Sequence, residues 1–269
     1  MPDDREQPKV GTIETATVDG VGWLTFSNPA RHNALGVSML TALPKALAAF
    51  EADPEVGVLV IRGAGDRAFV SGADISEFGE RRTSPEARAE YDAIGHEAHD
   101  AWEAFSKPII AMIMGYCIGG GLNTALQADI RIAADNAQFA IPAGRLGLGY
   151  GMEGVQRLMN VIGPSWAAEV LFSARRFSAE EGLRMGLVNR VVPIASLEES
   201  VTDLAKTIAA NAPLTLRAAK AAIREVQKDR EEQDRARVAQ LVDACFRSED
   251  YLEGQKAFME KRAPRFVGR

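Results

Sequence analysis

A run of three glycines lies between an apolar stretch and a stretch of helical composition, where it could bind a negatively charged oxygen. Residues 113–123 read Ile-Met-Gly-Tyr-Cys-Ile-Gly-Gly-Gly-Leu-Asn, which predicts a strand, a glycine turn and the start of a helix. Glycine lets a ligand or another backbone approach closely, and the first N–H groups of a helix have no partner within it. The stretch therefore predicts backbone donors for a developing oxyanion, although the glycines could also serve tight packing alone.

Two common nucleotide motifs do not fit this stretch. No Gly-Lys-Ser/Thr follows the glycines, as a P-loop requires, and the spacing is not the G-x-G-x-x-G of dinucleotide-binding folds. A second glycine-containing stretch, residues 68–75, reads Ala-Phe-Val-Ser-Gly-Ala-Asp-Ile and follows the apolar segment 57–61. The oxyanion interpretation therefore has to be judged on the two stretches together.

Together the two stretches resemble the crotonase superfamily, also called the enoyl-CoA hydratase/isomerase family. The family patterns are (S/A)-G-x-D-(I/L) and G-x-x-x-G-G-G, and each gives one backbone N–H to an oxyanion hole. The resemblance therefore implies that Ala73 and Gly120 supply the two donors. It runs from about residue 12 to about residue 266, and jointly the motifs are specific to the family but not to one reaction. The further matching segments are residues 28–29, 33–35, 156–158, 186–189 and 257–262.

The resemblance implies an α/β fold, a crotonase-like spiral of β-β-α repeats with a C-terminal helical trimerisation region. Residues 1–195 would form the spiral and carry the acyl-CoA site, and residues 196–269 would serve oligomerisation and cover the CoA. A homotrimer or a dimer of trimers is expected. Apolar residues of the last helices fit either a subunit interface or packing within one chain: Val238, Leu241, Val242, Phe246 and Phe258.

The resemblance also implies that coenzyme A is part of the substrate, so that no separate cofactor is needed. Several residues are assigned to its binding. These are Ala30, Arg31 and His32 along the CoA path, Ser71, Asp74 and Ile75 at the adenine half through their backbone, Lys261 at the phosphates, and Ala143 beside the acyl group.

Family hydratases add water across an enoyl thioester with two glutamates, and this chain has neither. One family glutamate stands three residues after the middle glycine of the triplet, where this chain has Asn123. The other follows a proline in a P-E-x-x-x-G pattern, where Pro142 is followed by Ala143 and Gly147 is in register. Asparagine can orient a water molecule but cannot take its proton, and alanine can do neither. Hydration of crotonyl-CoA is therefore expected to be slow or absent.

The polar candidates that remain near the site are Tyr150, Glu153, Arg145 and Asn123. Residues 146–150 match the L-G-x-x-Y pattern of the bacterial methylmalonyl-CoA decarboxylase branch, so the resemblance implies a functional tyrosine. Tyr150 could equally be a packing aromatic whose hydroxyl bonds to the backbone. Glu153 could be catalytic or a first-turn carboxylate favoured by the helix dipole. Arg145 could form a salt bridge or meet an anionic acyl group.

Two of the three histidines, His96 and His99, lie three residues apart and share a face of a predicted helix. The third, His32, is not within reach of that spacing, so we expect no metal site.

Three functions remain open. The first is an enzyme of acyl-CoA metabolism with altered acid–base groups. The second is a decarboxylase or C–C hydrolase, which needs enolate stabilisation but not two carboxylates. The third is a protein that binds CoA thioesters without turnover.

Composition places limits on the partners and the compartment. Hydrophobic residues make up 46% and charged residues 25% of the 269-residue chain, as in globular proteins. The net charge of −6 argues against a nucleic-acid surface. Two cysteines, a polar N-terminus and the lack of a run of about 18 apolar residues predict a cytoplasmic protein that does not bind membranes.

The elements that must position these residues are predicted from periodicity and turn signals. Asp19-Gly20 predicts a hairpin between residues 12–18 and 21–27, and further strands are expected at 56–62, 108–114, 129–133 and 138–141. Residues 79–84 are expected to form a mobile loop. Helices are expected at 38–52, where Pro44 indicates a kink or a late start, and at 84–106, 152–161 and 164–173. Capping boxes are expected at Ser178 and Ser196, with four helices between residues 196 and 261.

Overall fold

The computed structural model describes residues 10–74 and 84–269, so Ile75 and residues 79–83 of the loop expected at 79–84 lie outside the described residues. The strands are β1 (Thr12–Val18), β2 (Val21–Ser27), β3 (Val58–Gly63), β4 (Ala68–Val70), β5 (Ile109–Ile113), β6 (Tyr116–Ile118), β7 (Ile130–Ala134), β8 (Gln138–Ala140), β9 (Phe177–Ser178) and β10 (Arg190–Val192). The helices are α1 (Val37–Ala52), α2 (Pro85–Ala104), α3 (Gly120–Ala125), α4 (Ala143–Leu146), α5 (Met152–Ser173), α6 (Ala179–Arg184), α7 (Leu197–Ala209), α8 (Pro213–Glu225), α9 (Arg235–Phe246) and α10 (Glu249–Glu260).

The strands form two sheets, with the orders β1-β2-β3-β5-β7-β10 and β4-β6-β8-β9. Each of β3, β5 and β7 in the first sheet leads within a few residues to β4, β6 or β8 in the second, and a helix follows before the next turn. The pairs β2·β3, β3·β5 and β5·β7 are parallel, as a repeated crossover requires. The α/β spiral of β-β-α repeats is thereby confirmed.

The turn of the first hairpin lies at Asp19 and Gly20, the two residues that the sequence predicted. Asp19 and Gly20 both have positive φ, 51° and 79°, as the favoured two-residue hairpin turn requires. The register then pairs Thr12 with Ser27 and Val18 with Val21.

Apolar side chains cover both faces of the first sheet. Along β3, Leu59 and Ile61 point into one buried cluster, whereas Val58 and Val60 point into another. This alternation is the period of two of a strand. The first cluster packs against α1 and α2, and the second packs against α7 through Leu197, Val201 and Ala205. Because both faces are covered, the central strands read as continuous apolar runs.

Two predictions about helix ends are confirmed and two are wrong. Gly163 has a φ of 75° and breaks α5 before Pro164, as the two separate helices predicted, and Ser178 forms its capping box with Glu181. Ser196 forms none, because it ends a 3₁₀ turn from Ile194 with φ −106° and ψ 1° instead of the extended backbone of an N-cap. The late helix start at Pro44 is also wrong, since α1 begins at Val37.

Beyond residue 196 the regular structure consists of α7 to α10. Although α7 lies beyond the predicted boundary at residue 195, it packs on the first sheet. On α9 and α10 several apolar side chains are exposed: Val242, Phe246, Leu252, Phe258 and Met259. Among the described residues, no helix combines the length and the apolar character that crossing a lipid bilayer would require.

Candidate active site

The two glycine stretches meet at one end of a cavity. Leu35 donates its N–H to the Gly72 carbonyl and accepts from the Asp74 N–H, so its bridge to Ala73 leaves the Ala73 N–H unused. Gly120 begins α3 opposite this segment, and a Cβ placed on it would stand 3.5 Å from the Ala73 nitrogen. Within the described residues neither amide donates a hydrogen bond. Two free N–H groups therefore face the same space.

The glycines of the triplet have different functions. Gly119 has a φ of 53°, which glycine adopts without strain. Gly121 is needed for packing, because a Cβ there would lie 1.9 Å from the Val70 carbonyl oxygen. Only Gly120 faces the cavity. The sequence left tight packing and ligand approach as alternatives for these glycines. Gly121 is required for packing, whereas the neighbouring Gly120 lines the cavity.

The cavity has a volume of about 280 Å³ and lies between α1, α2, α3 and the start of α5. Its apolar wall comes mainly from β2 and α1, with one aromatic residue from α2. These residues are Phe26, Leu35, Met39, Leu40, Leu43 and Trp102. The polar wall consists of Tyr91, His96, His99, Asn123, Thr124, Gln127, Glu153 and Arg157. This mixture of apolar lining and a few polar groups is typical of a small-molecule site.

Two polar atoms near the cavity are buried without a hydrogen-bond partner in the part of the chain that the structure describes. They are the Oδ1 of Asn123, which lines the cavity, and the hydroxyl of Tyr150, which does not. The hydroxyl therefore does not bond to the backbone, as a purely packing tyrosine would require. Burial raises the pKa of Tyr150 to about 12, although the charge of Arg157 opposes the shift. Tyr150 is therefore a hydrogen-bond donor throughout the physiological range. Its ring lies over Gly154, where an added Cβ would come within 2.8 Å of it.

The remaining acid–base candidates separate into two groups. Glu153 stands in the first turn of α5 and lines the cavity, but it is exposed. Ala143 is buried at the start of α4 and is not among the cavity-lining residues. Arg145, on the same short helix, is exposed and does not line the cavity either. An anionic acyl group inside this cavity would therefore not meet Arg145.

The sequence analysis did not predict that one face of α2 lines the cavity. His96 and His99 line the cavity, and Arg157 donates from Nη2 to the His99 Nδ1 at 3.1 Å. Tyr91, Gly95, His99 and Trp102 recur at helical spacing on the same wall, which is the signal that could have revealed this face. Within residues 10–74 and 84–269, no three His, Cys, Asp or Glu side chains are placed to hold a metal ion.

The residues assigned to coenzyme A form a second group, around the loop after β2. Ala30 and Arg31 lie in a 3₁₀ turn that ends at His32. Arg31 Nη1 donates to both carboxylate oxygens of Asp74, with 2.6 Å to Oδ2. The Ser71 N–H donates to the His32 carbonyl at 3.1 Å. These residues are therefore brought together beside Ala73.

Lys261 is the exception. It follows α10 as the C-cap residue, with a φ of 54° and an exposed side chain, and its N–H donates locally to the Ala257 and Phe258 carbonyls. Its assignment to the phosphates stays a prediction.

Comparisons with known proteins agree with this architecture. The family described as enoyl-CoA hydratase/isomerase matches residues 16–269. A crotonyl-CoA hydratase of Syntrophomonas wolfei is 37% identical over 246 residues, which are 91% of this chain and 94% of that protein. A short-chain-enoyl-CoA hydratase of Clostridium acetobutylicum is 36% identical over 242 residues, 90% of this chain and 92% of that protein.

Solved structures lead to the same conclusion. An enoyl-CoA hydratase of Bacillus anthracis superposes with a TM-score of 0.88 at 31% identity, covering 96% of this chain and 100% of that chain. On the family match, the curated relatives and the fold, this chain belongs to the enoyl-CoA hydratase/isomerase family.

Proposed function

We propose that this protein is an enzyme that binds an acyl-CoA thioester and stabilises its enolate between the N–H groups of Ala73 and Gly120. The observation that carries the proposal is the pair of free amides facing one cavity. Preorganised donors of this kind stabilise charge that develops on a carbonyl oxygen. The names of the relatives, which specify enoyl-CoA thioesters, support the class of substrate.

Ordinary hydration is not the reaction that these side chains favour. Asn123 lines the cavity where the family resemblance places a glutamate, and Ala143 replaces the other. General acid–base help is typically worth about 10²–10⁴-fold per group. We therefore expect crotonyl-CoA hydration well below the roughly 10 s⁻¹ of a common enzyme.

The second candidate is decarboxylation or C–C hydrolysis, and the unpartnered Tyr150 hydroxyl favours it. In decarboxylation the bond from Cα to the carboxylate breaks, CO₂ leaves, and the electron pair forms the thioester enolate. The two amides would hold the enolate oxygen, and Tyr150 would orient the departing carboxylate or donate a proton to Cα. Neither step needs two glutamates.

The coenzyme A half is proposed to lie along the loop after β2. Ala30, Arg31 and His32 would line its path, and the backbone at Ser71, Asp74 and Ile75 would hold the adenine half. The Arg31–Asp74 ion pair supports this proposal, because it fixes the loop beside Ala73. Lys261 would reach the phosphates from its own or a neighbouring chain.

Oligomerisation belongs to the same proposal. Exposed apolar side chains such as Phe246 and Phe258 on the last two helices would be buried in a homotrimer or a dimer of trimers. Sedimentation analysis should give a mass of three or six chains, and a monomer at micromolar concentration would contradict this part of the proposal.

Gly120→Pro and Gly120→Ala test the oxyanion hole as a matched pair. Both add a Cβ that makes only ordinary contact, 3.5 Å from the Ala73 nitrogen, but only proline removes the N–H. Loss of one such donor is typically worth about 10²–10³-fold in kcat. The alanine variant should therefore retain most of the activity and the proline variant should lose it.

Calorimetry with several acyl-CoAs, followed by mass spectrometry of the products, identifies the reaction. No binding at millimolar concentration would refute the assignment to acyl-CoA. Binding without any product would leave a CoA-thioester binding protein, and equal kcat values for the proline and alanine variants would remove the Gly120 N–H from the mechanism.

A further inference from the structure

Arg157 lies in the wall of the cavity and forms no ion pair with any residue that the structure describes. Its side chain is half-buried on α5, and its one hydrogen bond is to the His99 ring. A guanidinium carries several N–H donors, so most of them are left without a protein acceptor. Buried or partly buried charges in proteins are normally paired.

The bond to His99 does not neutralise this charge. Because a guanidinium only donates, the His99 Nδ1 must accept, which places the proton of a neutral imidazole on Nε2. Glu103 and Glu153 attract Arg157 from a distance and favour its charged form, whereas burial is the larger effect and lowers its pKa. Both glutamates are exposed, and neither forms an ion pair with Arg157 within the described residues.

The Tyr150 hydroxyl supplies a second donor in the same neighbourhood. It is buried without a hydrogen-bond partner among the described residues, behind Gly154 of the cavity wall, and the charge of Arg157 acts on the phenol. Arg157 itself lines the largely apolar cavity, and a guanidinium with unused donors is complementary to an anion with several acceptor oxygens.

We propose that the acyl part of the substrate carries a carboxylate, which binds Arg157 in the wall of the cavity, with the Tyr150 hydroxyl as a second donor buried behind that wall. His99 is a positioning residue that orients the guanidinium through Nδ1. This inference rests on the proposed function, because it takes the cavity as the acyl site. A carboxylate fits better than a phosphate, since the cavity of about 280 Å³ must also hold the acyl chain.

The test compares acyl-CoAs of equal chain length with and without a terminal carboxylate. Calorimetry on the wild-type protein would use succinyl- with butyryl-CoA, glutaryl- with valeryl-CoA and adipyl- with hexanoyl-CoA. A guanidinium–carboxylate pair in a partly dry site should tighten binding by about tenfold or more at the length that fits. Both members of each pair carry the same coenzyme A, so its charges cancel in the comparison.

Two variants locate the effect. Arg157→Gln should abolish the preference for the carboxylate, so that the acid and the neutral member of each pair bind with similar Kd values. Arg145→Gln is the matched control, because it removes the same charge from an exposed position outside the cavity, and it should keep the preference.

Each outcome decides one of the two claims. If the neutral member binds as tightly as the acid at every length, or if Arg157→Gln weakens both members equally, the carboxylate site is refuted while the acyl-CoA assignment stands. If neither member binds, the proposed function itself fails.

Discussion

Two asparagines of the site region, Asn33 beside the coenzyme A loop and Asn123 in the cavity wall, differ in how completely their polar atoms are hydrogen-bonded. Asn33 is only 1% exposed. Its Nδ2 donates to the carbonyls of Ala64 and Ala68 at 2.9 and 2.8 Å, and its Oδ1 accepts from the Asn28 N–H at 3.0 Å. Asn123 lines the cavity, and its buried Oδ1 has no hydrogen-bond partner among the described residues.

This difference distinguishes an asparagine that holds the local structure, Asn33, from one whose oxygen is available to a ligand, Asn123. Asn33 ties the loop after β2 to the segment between β3 and β4, which holds the CoA-assigned residues beside Ala73. Buried polar groups that are fully bonded specify one local structure. Groups that stay unbonded carry a free-energy penalty unless a ligand or water completes them. The second pattern recurs at Tyr150, also beside the cavity.

The largest change in the free energy of unfolding is expected when Asn33, the fully hydrogen-bonded asparagine, is replaced. Asn33→Gly removes three hydrogen bonds but keeps the backbone freedom that the φ of 58° requires. At about 1 kcal/mol per bond, plus the buried carbonyls left unpaired, the free energy of unfolding should fall by about 2–4 kcal/mol. Asn123→Ala should change it by less than about 1 kcal/mol, because no bond of its Oδ1 is lost. Urea denaturation of both variants measures the difference, and equal losses would contradict the comparison.

Tyr150→Phe tests whether the unbonded hydroxyl of Tyr150 acts on the substrate. It removes a hydroxyl that has no hydrogen-bond partner among the described residues, so the free energy of unfolding should hold or rise slightly. Turnover should fall by about 10–100-fold, as when one hydrogen bond to the reacting group is lost. Wild-type turnover on the true substrate would show that Tyr150 only packs, and Glu153 would become the leading candidate.

Local signals predicted much of the fold. Asp19-Gly20 set the first hairpin, the Ser178 box capped α6, and Gly163-Pro164 divided α5. Each of these depends on neighbours a few residues apart. The three-residue strand β4 was not predicted as a strand, because three residues alone are too few to show a period. Ser196 is not a cap because a 3₁₀ turn runs directly into α7, which leaves its backbone outside the extended region.

Some residues of the candidate site could be predicted from local sequence, and others could not. Ala73, Gly120 and Asn123 belong to motifs that can be read from short stretches, and the structure brings them to one cavity. Tyr150, also part of a short motif, packs against Gly154 of the cavity wall. The His99–Arg157 contact joins residues 58 positions apart. No local pattern could indicate it, because it depends on how α2 and α5 pack.

Lys220 extends the comparison to a buried charge that the protein itself satisfies. Its Nζ donates to the Lys107 carbonyl at 2.7 Å and to the Asp129 Oδ2 at 2.9 Å. Burial lowers its pKa from 10.5 to about 8, although Asp129 opposes the shift. Between these values the unfolded chain binds more protons than the folded one, so stability rises with pH.

The expected slope is of the order of 1 kcal/mol per pH unit between pH 8 and 10.5, measured by urea denaturation at several pH values. Lys220→Met should remove this contribution. A wild-type curve that coincides in slope with that of the variant would show that Lys220 does not titrate differently in the folded protein.

The smallest effects come from two helical glycines on the cavity wall. Gly95 on α2 has no atom within 4 Å of an added Cβ, whereas on Gly154 of α5 the Cβ would lie 2.8 Å from the Tyr150 ring. Gly95→Ala should therefore stabilise the protein by about 0.5–1 kcal/mol through backbone entropy. Gly154→Ala gains the same entropy, but overpacking typically costs about 1–3 kcal/mol, so it should be the less stable variant by about 1 kcal/mol or more.

Because the contact is with Tyr150, Gly154→Ala should also lower kcat, and Gly95→Ala should not. If urea denaturation shows equal stabilisation in both, the Tyr150 ring is not held against Gly154, and the orientation proposed for its hydroxyl loses its support.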